Sequence, residues 1–187
     1  GRLKNLDWFG FSLANMGDLD GDGVVELAVG AALDDDGVTN AGAAWLLYLR
    51  PDGTVKDWRK FSLSSGGFTG VLESPDQFGT SVARVGDLDG DGVSELAVGA
   101  VKDGDGGKER GAVYVLFLDA TGTAKFHQKI SALEGGFTGR LDNIDWFGSA
   151  LAPLGDFDGD GVVDLAIGAR NDDDAGANKG AVYLTYL

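Results

Sequence analysis

Phe-Gly pairs fall at Phe9-Gly10, Phe78-Gly79 and Phe147-Gly148, 69 residues apart each time. The same interval separates acidic runs beginning at Asp18, Asp87 and Asp156, and the pairs Gly42-Ala43, Gly111-Ala112 and Gly180-Ala181. A GGFTG segment recurs from Gly66 and from Gly135. Laid over one another, residues 1–49 and 139–187 agree at 31 of 49 positions. So regular a period excludes one core with an irregular chain path. It demands copies of a single supersecondary unit, stacked in a line or arranged around an axis. The expected units are residues 1–69, 70–138 and 139–187, the last shorter by about twenty residues.

Within a unit, stretches rich in Val, Leu, Ala and aromatics alternate with glycine-rich breaks, which is the pattern of short strands joined by tight turns. The chain carries 32 glycines and only 3 prolines, and 43% of it is hydrophobic, enough to bury a core. Four strands are expected in the first unit, at about Trp8–Met16, Glu26–Ala32, Ala43–Arg50 and Thr54–Ser62, with a turn at Pro51-Asp52-Gly53. Four antiparallel strands per repeat of this length form the blade of a β-propeller, so an all-β fold of propeller blades is predicted, the third blade lacking its outer strand. A β-solenoid is the weaker alternative, because its coils are generally shorter. Three blades do not close a ring. The expectation is therefore either a segment of a longer propeller or a ring completed by identical chains.

The acidic runs have the spacing D-x-D-x-D-G-x-x-[ED]. Asp18, Asp20, Asp22 and Glu26 form the first set, Asp87, Asp89, Asp91 and Glu95 the second, and Asp156, Asp158, Asp160 and Asp164 the third. Carboxylates at positions 1, 3, 5 and 9, with the position-7 carbonyl of Val24, Val93 or Val162, offer the hard oxygen ligands that Ca²⁺ takes, and Gly23, Gly92 and Gly161 permit the sharp turn. Two carboxylates about 4 Å apart repel by roughly 4 kcal/mol at an effective dielectric near 20, so converging ones need a cation. One Ca²⁺ per repeat, three in all, is expected. A solvated Asp/Gly turn is the competing reading, but three loops in register argue against chance. An EF-hand is excluded, since position 12 is Val29, Val98 or Ile167 and the flanks are strand-like. Mg²⁺ fits less well, because it keeps more of its waters.

A second set of acids lies between the second and third strands: Asp34, Asp35 and Asp36, then Asp103 and Asp105, then Asp172, Asp173 and Asp174. These read first as a solvated loop, with a partner-binding or weak cation site as the alternative. In an antiparallel meander successive connections alternate ends. These loops should therefore share the end opposite the calcium loops with the connections between units. Trp8 and Trp146 are expected to pack between blades, and His127, the single histidine, to lie on the surface of the fourth strand.

Acidic residues outnumber basic ones by 30 to 15, and a formal charge of −15 argues against nucleic acid or an anionic membrane surface as partner. Three divalent ions would bring that charge to about −9. No cysteine is present, which removes disulfides and thiol chemistry, and no apolar run approaches the ~18–20 residues that span a bilayer. There is no recurring histidine and no G-x-S-x-G elbow, so catalysis is not expected.

Phe-Gly opening the first strand, the D-x-D-x-D-G loop and Val-Gly-Ala or Ile-Gly-Ala closing the second together resemble the FG-GAP repeat, over essentially the whole chain. That repeat builds the seven-bladed propeller of integrin α-subunits and occurs in many bacterial secreted proteins. The absence of cysteine and the closeness of the repeats resemble the bacterial type, as would consensus engineering. The chain departs from the family at the Pro of Gly-Ala-Pro, which is Ala32, Val101 or Arg170 here, and by carrying Glu at position 9 of two loops where Asp is usual. The resemblance implies calcium loops joining the first two strands of each blade, and a non-catalytic, extracellular or cell-surface module for adhesion or recognition of a protein or glycan. A propeller lectin is the alternative function.

Overall fold

A computed structural model describes residues 2–187; Gly1, the first residue of the first expected unit, lies outside them. Eleven strands and, among the described residues, no helix make up the chain. They are β1 (Phe9–Gly17), β2 (Glu26–Ala31), β3 (Ala43–Leu49), β4 (Val55–Phe61), β5 (Phe78–Arg84), β6 (Leu96–Ala100), β7 (Ala112–Leu118), β8 (Ala124–Ile130), β9 (Phe147–Gly155), β10 (Asp164–Ala169) and β11 (Ala181–Thr185). Three antiparallel meanders result, β1-β2-β3-β4, β5-β6-β7-β8 and β9-β10-β11. These are the propeller blades foreseen from the repeat, the third with three strands, and the ring is open. The strand limits differ by a residue or so from expectation. The first strand starts after Trp8, whose φ of +55° is not that of a strand residue, and in the second blade β6 begins at Leu96, leaving Glu95 just outside it.

The repeated Phe-Gly and Gly-Ala pairs are the seam between blades. Phe78 and Phe147 are fully buried, and their amides donate to the Ala41 and Arg110 carbonyls of the preceding blade at 2.8 and 2.9 Å. Fully burying such a side chain stabilises by roughly 1.5–3 kcal/mol. Ser12 donates to the Gly79 carbonyl (2.9 Å), Ser81 to that of Gly148 (2.7 Å), and Ser149, with no blade after it, to Gly168 of its own sheet (3.0 Å). The approach is too close for a side chain: a Cβ on Gly30 would lie 1.9 Å from the Gly79 oxygen, and one on Gly99 2.1 Å from that of Gly148. Gly42 and Gly111 bridge to Phe78 and Phe147 with φ near +90°, the left-handed region that glycine tolerates.

The two ends of the stack are bare. Phe9, which shares the Phe-Gly pair with Phe78, is 41% exposed, with no described blade packed against it, and Phe11 and Leu13 are exposed beside it. Val182 and Leu184 are exposed on the far side of the third blade. Trp8 accordingly does not pack between blades as expected; it is half exposed and stacks on Phe11 with centroids 5.4 Å apart. Trp146 does sit at a seam, its indole donating to Glu109 of the previous blade at 3.1 Å with Arg170 over its ring. His127 is not a plain surface residue either. It is half-buried in a cluster with Phe68 and Tyr114, and burial pushes its pKa down.

Candidate metal centres

Each acidic run forms the connection between the first two strands of its blade, and its carboxylates organise the loop before any ligand is considered. Asp18 accepts from the Gly21, Asp22 and Gly23 amides at 2.8, 3.1 and 2.9 Å. Asp87 does the same for Gly90, Asp91 and Gly92 at 2.8, 3.1 and 2.8 Å, and Asp156 holds Gly159 and Gly161 at 2.6 and 3.0 Å. The position-5 residues Asp22, Asp91 and Asp160 accept from Val24, Val93 and Val162, each at 2.8 Å. Glycine at position 6, expected to permit the sharp turn, has positive φ, and so does glycine at position 4, namely Gly21, Gly90 and Gly159. The backbone thus curls around position 1 in all three blades.

Position 9 differs from the rest. Asp18, Asp20, Asp22 and their counterparts are exposed, whereas Glu26, Glu95 and Asp164 are at most 2% exposed. One oxygen of each is held by the position-2 amide, from Leu19 (2.6 Å), Leu88 (2.6 Å) or Phe157 (2.8 Å). The other oxygen is buried without a partner in all three. A buried carboxylate oxygen left unsatisfied costs about 1–3 kcal/mol or more. Burial foremost, with Asp89 and Asp87 nearby, pushes Glu95 up to about 7; burial likewise raises Glu26. Carboxyl oxygens of Asp18, Asp20 and Asp22 lie within 4.8 Å of one another, as do those of Asp87, Asp89 and Glu95 and of Asp156, Asp158 and Asp164. Three converging carboxylates per loop, one of them the buried position-9 residue in two of the sets, fit a hard cation such as Ca²⁺.

The second acidic set lies at the opposite end of the blades, with the connections between units, as the topology requires. The solvated-loop reading of these residues is overturned for the first member of each. Asp34, Asp103 and Asp172 are 2–4% exposed. They cap their own turns, accepting from the Asp36, Asp105 and Asp174 amides at 2.9, 2.9 and 3.2 Å. Lys60 pairs with Asp34 at 2.9 Å and with Asp36 at 3.1 Å, and Lys129 with Asp103 at 3.0 Å and Asp105 at 3.5 Å. Tyr114 and Tyr183 donate to Asp103 (2.9 Å) and Asp172 (2.8 Å). Asp35 and Asp173 remain exposed. Asp173 and Asp174 gather with Asp142, where Arg140 bonds Asp142 at 2.6 Å and Asp174 at 3.3 Å. These loops are internally wired rather than free.

Several of these partners had a repeat signature that spacing alone could have flagged. Asp7, Asp76 and Asp145, again 69 residues apart, are buried beside the same loops, and burial pushes Asp76 up to about 6, with Asp103 adding to it. Lys56 and Lys125, and Lys60 and Lys129, also keep the interval.

A family model described as FG-GAP repeat matches residues 9–47, 78–116 and 147–185. Integrin alpha-4 of Xenopus laevis is 31% identical over 176 residues, 94% of this chain and 16% of the relative. Integrin alpha-PS2 of Drosophila melanogaster is 34% identical over 176 residues, covering 89% of this chain and 12% of the relative. Integrin alpha-7 of Homo sapiens is 34% identical over 165 residues, covering 88% and 12%. The chain spans about a sixth or less of the length of these relatives.

Proposed function

We propose a function for this chain from one premise, that it belongs to the FG-GAP repeat family: it is a calcium-stabilised, non-catalytic β-propeller segment for adhesion or recognition, working outside the cell. The observation that carries the metal reading is the orphaned, buried oxygen of Glu26, Glu95 and Asp164, repeated in all three loops. Asp18, Asp20, Asp22 and Glu26, with the Val24 carbonyl, would hold the first ion. Asp87, Asp89, Asp91, Glu95 and Val93 would hold the second, and Asp156, Asp158, Asp160, Asp164 and Val162 the third. Each ion would neutralise carboxylates that otherwise repel, and so fasten the hairpin that sets two strands of the blade side by side.

The integrin alpha relatives support the extracellular setting, and millimolar calcium outside cells suits modules that bind Ca²⁺ with dissociation constants of about 10⁻⁴ to 10⁻³ M. The partner is an extracellular protein or a glycan, met by the end of the blades that carries Asp34 to Asp36, Asp103, Asp105 and Asp172 to Asp174. Fixed by internal bonds, these turns present Asp35 and Asp173 at little further entropic cost. The bare blade faces at Phe9 to Leu13 and at Val182 to Leu184 are covered by further blades or by another copy of the chain. Thermal unfolding in millimolar CaCl₂ and in excess EDTA tests the calcium reading; melting that is unchanged by chelation would refute it. Binding on a glycan array, against silence there, separates the lectin from the protein-binding module.

A further inference from the structure

The structure puts a cation of its own inside two of the three loops. Lys56, the second residue of β4, pairs with Asp20 at 2.8 Å and also with Asp22. Lys125, at the same place in β8, pairs with Asp89 and Asp91, both at 2.6 Å. The contacts span 34 residues of sequence or more and fall on the carboxylates of positions 3 and 5. Neither lysine is loose. Each sits at a break in its strand's register, between Val55 opposite Leu49 and Asp57 opposite Tyr48 in β4, and between Ala124 opposite Leu118 and Phe126 opposite Phe117 in β8. Each ammonium therefore hangs from the blade's own frame.

We propose that Lys56 and Lys125 are built-in competitors of the metal at the first two calcium loops. This rests on the calcium reading above. A divalent ion bound between Asp20 and Asp22, or between Asp89 and Asp91, has to break two ion pairs and turn a like charge away. Each exposed pair is individually weak, and two together are expected to weaken binding by about tenfold. In return, the first two loops keep their carboxylates neutralised when calcium is scarce. The lysines act on affinity and are not ligands themselves.

Calorimetric titration of the whole chain with CaCl₂ provides the test, with terbium luminescence as an independent readout. In Lys56→Met/Lys125→Met two of the sites are expected to tighten about tenfold, whereas Lys56→Arg/Lys125→Arg keeps the charge and the weaker affinity. Far-ultraviolet circular dichroism confirms that each variant is folded. Affinities unmoved by the methionine substitutions would overturn the competition while leaving the calcium reading standing. Failure of all three loops to bind Ca²⁺ would overturn that reading and the competition with it.

Discussion

Replacing Glu95 by Gln should change the sign of its effect on stability according to whether calcium is present. Glu95 is fully buried, with one oxygen bonded to the Leu88 amide and the other unpaired. Its pKa stands at about 7 in the fold against an ordinary 4.5, owing first to burial and then to Asp89 and Asp87. A folded-state pKa raised above the unfolded one means that the group's contribution is fully present below about 4.5 and is lost as pH rises through 7. At pH 8 the ionised side chain therefore costs the calcium-free protein about 3 kcal/mol. Gln keeps the bond to Leu88 and removes the charge but leaves a buried amide to satisfy, so roughly half of that, about 1–2 kcal/mol, should be recovered. With calcium at a hundred times its dissociation constant the loop gains about 2.7 kcal/mol from the ion, which a variant lacking the ligand forfeits. The variant should then be about 1 kcal/mol less stable than the parent, or roughly 2–4 °C lower in melting temperature for a chain of this size. Denaturant unfolding at pH 8 in EDTA and in CaCl₂ reads both values. Equal destabilisation in the two buffers would reduce Glu95 to a hydrogen-bond acceptor for Leu88 and refute its role at the metal.

Gly99→Ala places a Cβ 2.1 Å from the Gly148 carbonyl, backbone that cannot yield easily; the seam between the second and third blades should loosen, with a loss of about 1–3 kcal/mol or more in urea unfolding. Lys60→Met leaves Asp34 charged and unpaired where both side chains are at most 3% exposed, and should cost about 3 kcal/mol in calcium and in EDTA alike. Asp76→Asn should stabilise the fold at pH 8 and make no difference near pH 4. Its folded pKa is raised to about 6, so the native carboxyl's contribution declines as pH climbs through that value. A stability difference independent of pH between 4 and 8 would contradict the burial of an ionised Asp76.

Much of the molecule is written locally and could be read from the chain. A 69-residue period forces like units, the strand-turn pattern makes each unit a meander, and the D-x-D-x-D-G spacing curls a loop through bonds that reach at most a few residues along the backbone. Ligand candidates at positions 1, 3, 5 and 9 were legible for that reason. Burial was not, because it depends on what lies across a sheet or in the next blade. Phe9 and Phe78 share the Phe-Gly motif, yet one is 41% exposed and the other sealed, since Phe78 packs against the first blade. Asp34 and Asp35 are neighbours in an acidic run, yet Lys60, 26 residues away, neutralises only the first. The unpaired oxygen of Glu26 and the reach of Lys56 into its loop likewise come from strands brought together in space. Local bonding sets the shape of each unit; its neighbours in space decide which charges it hides and which it leaves exposed.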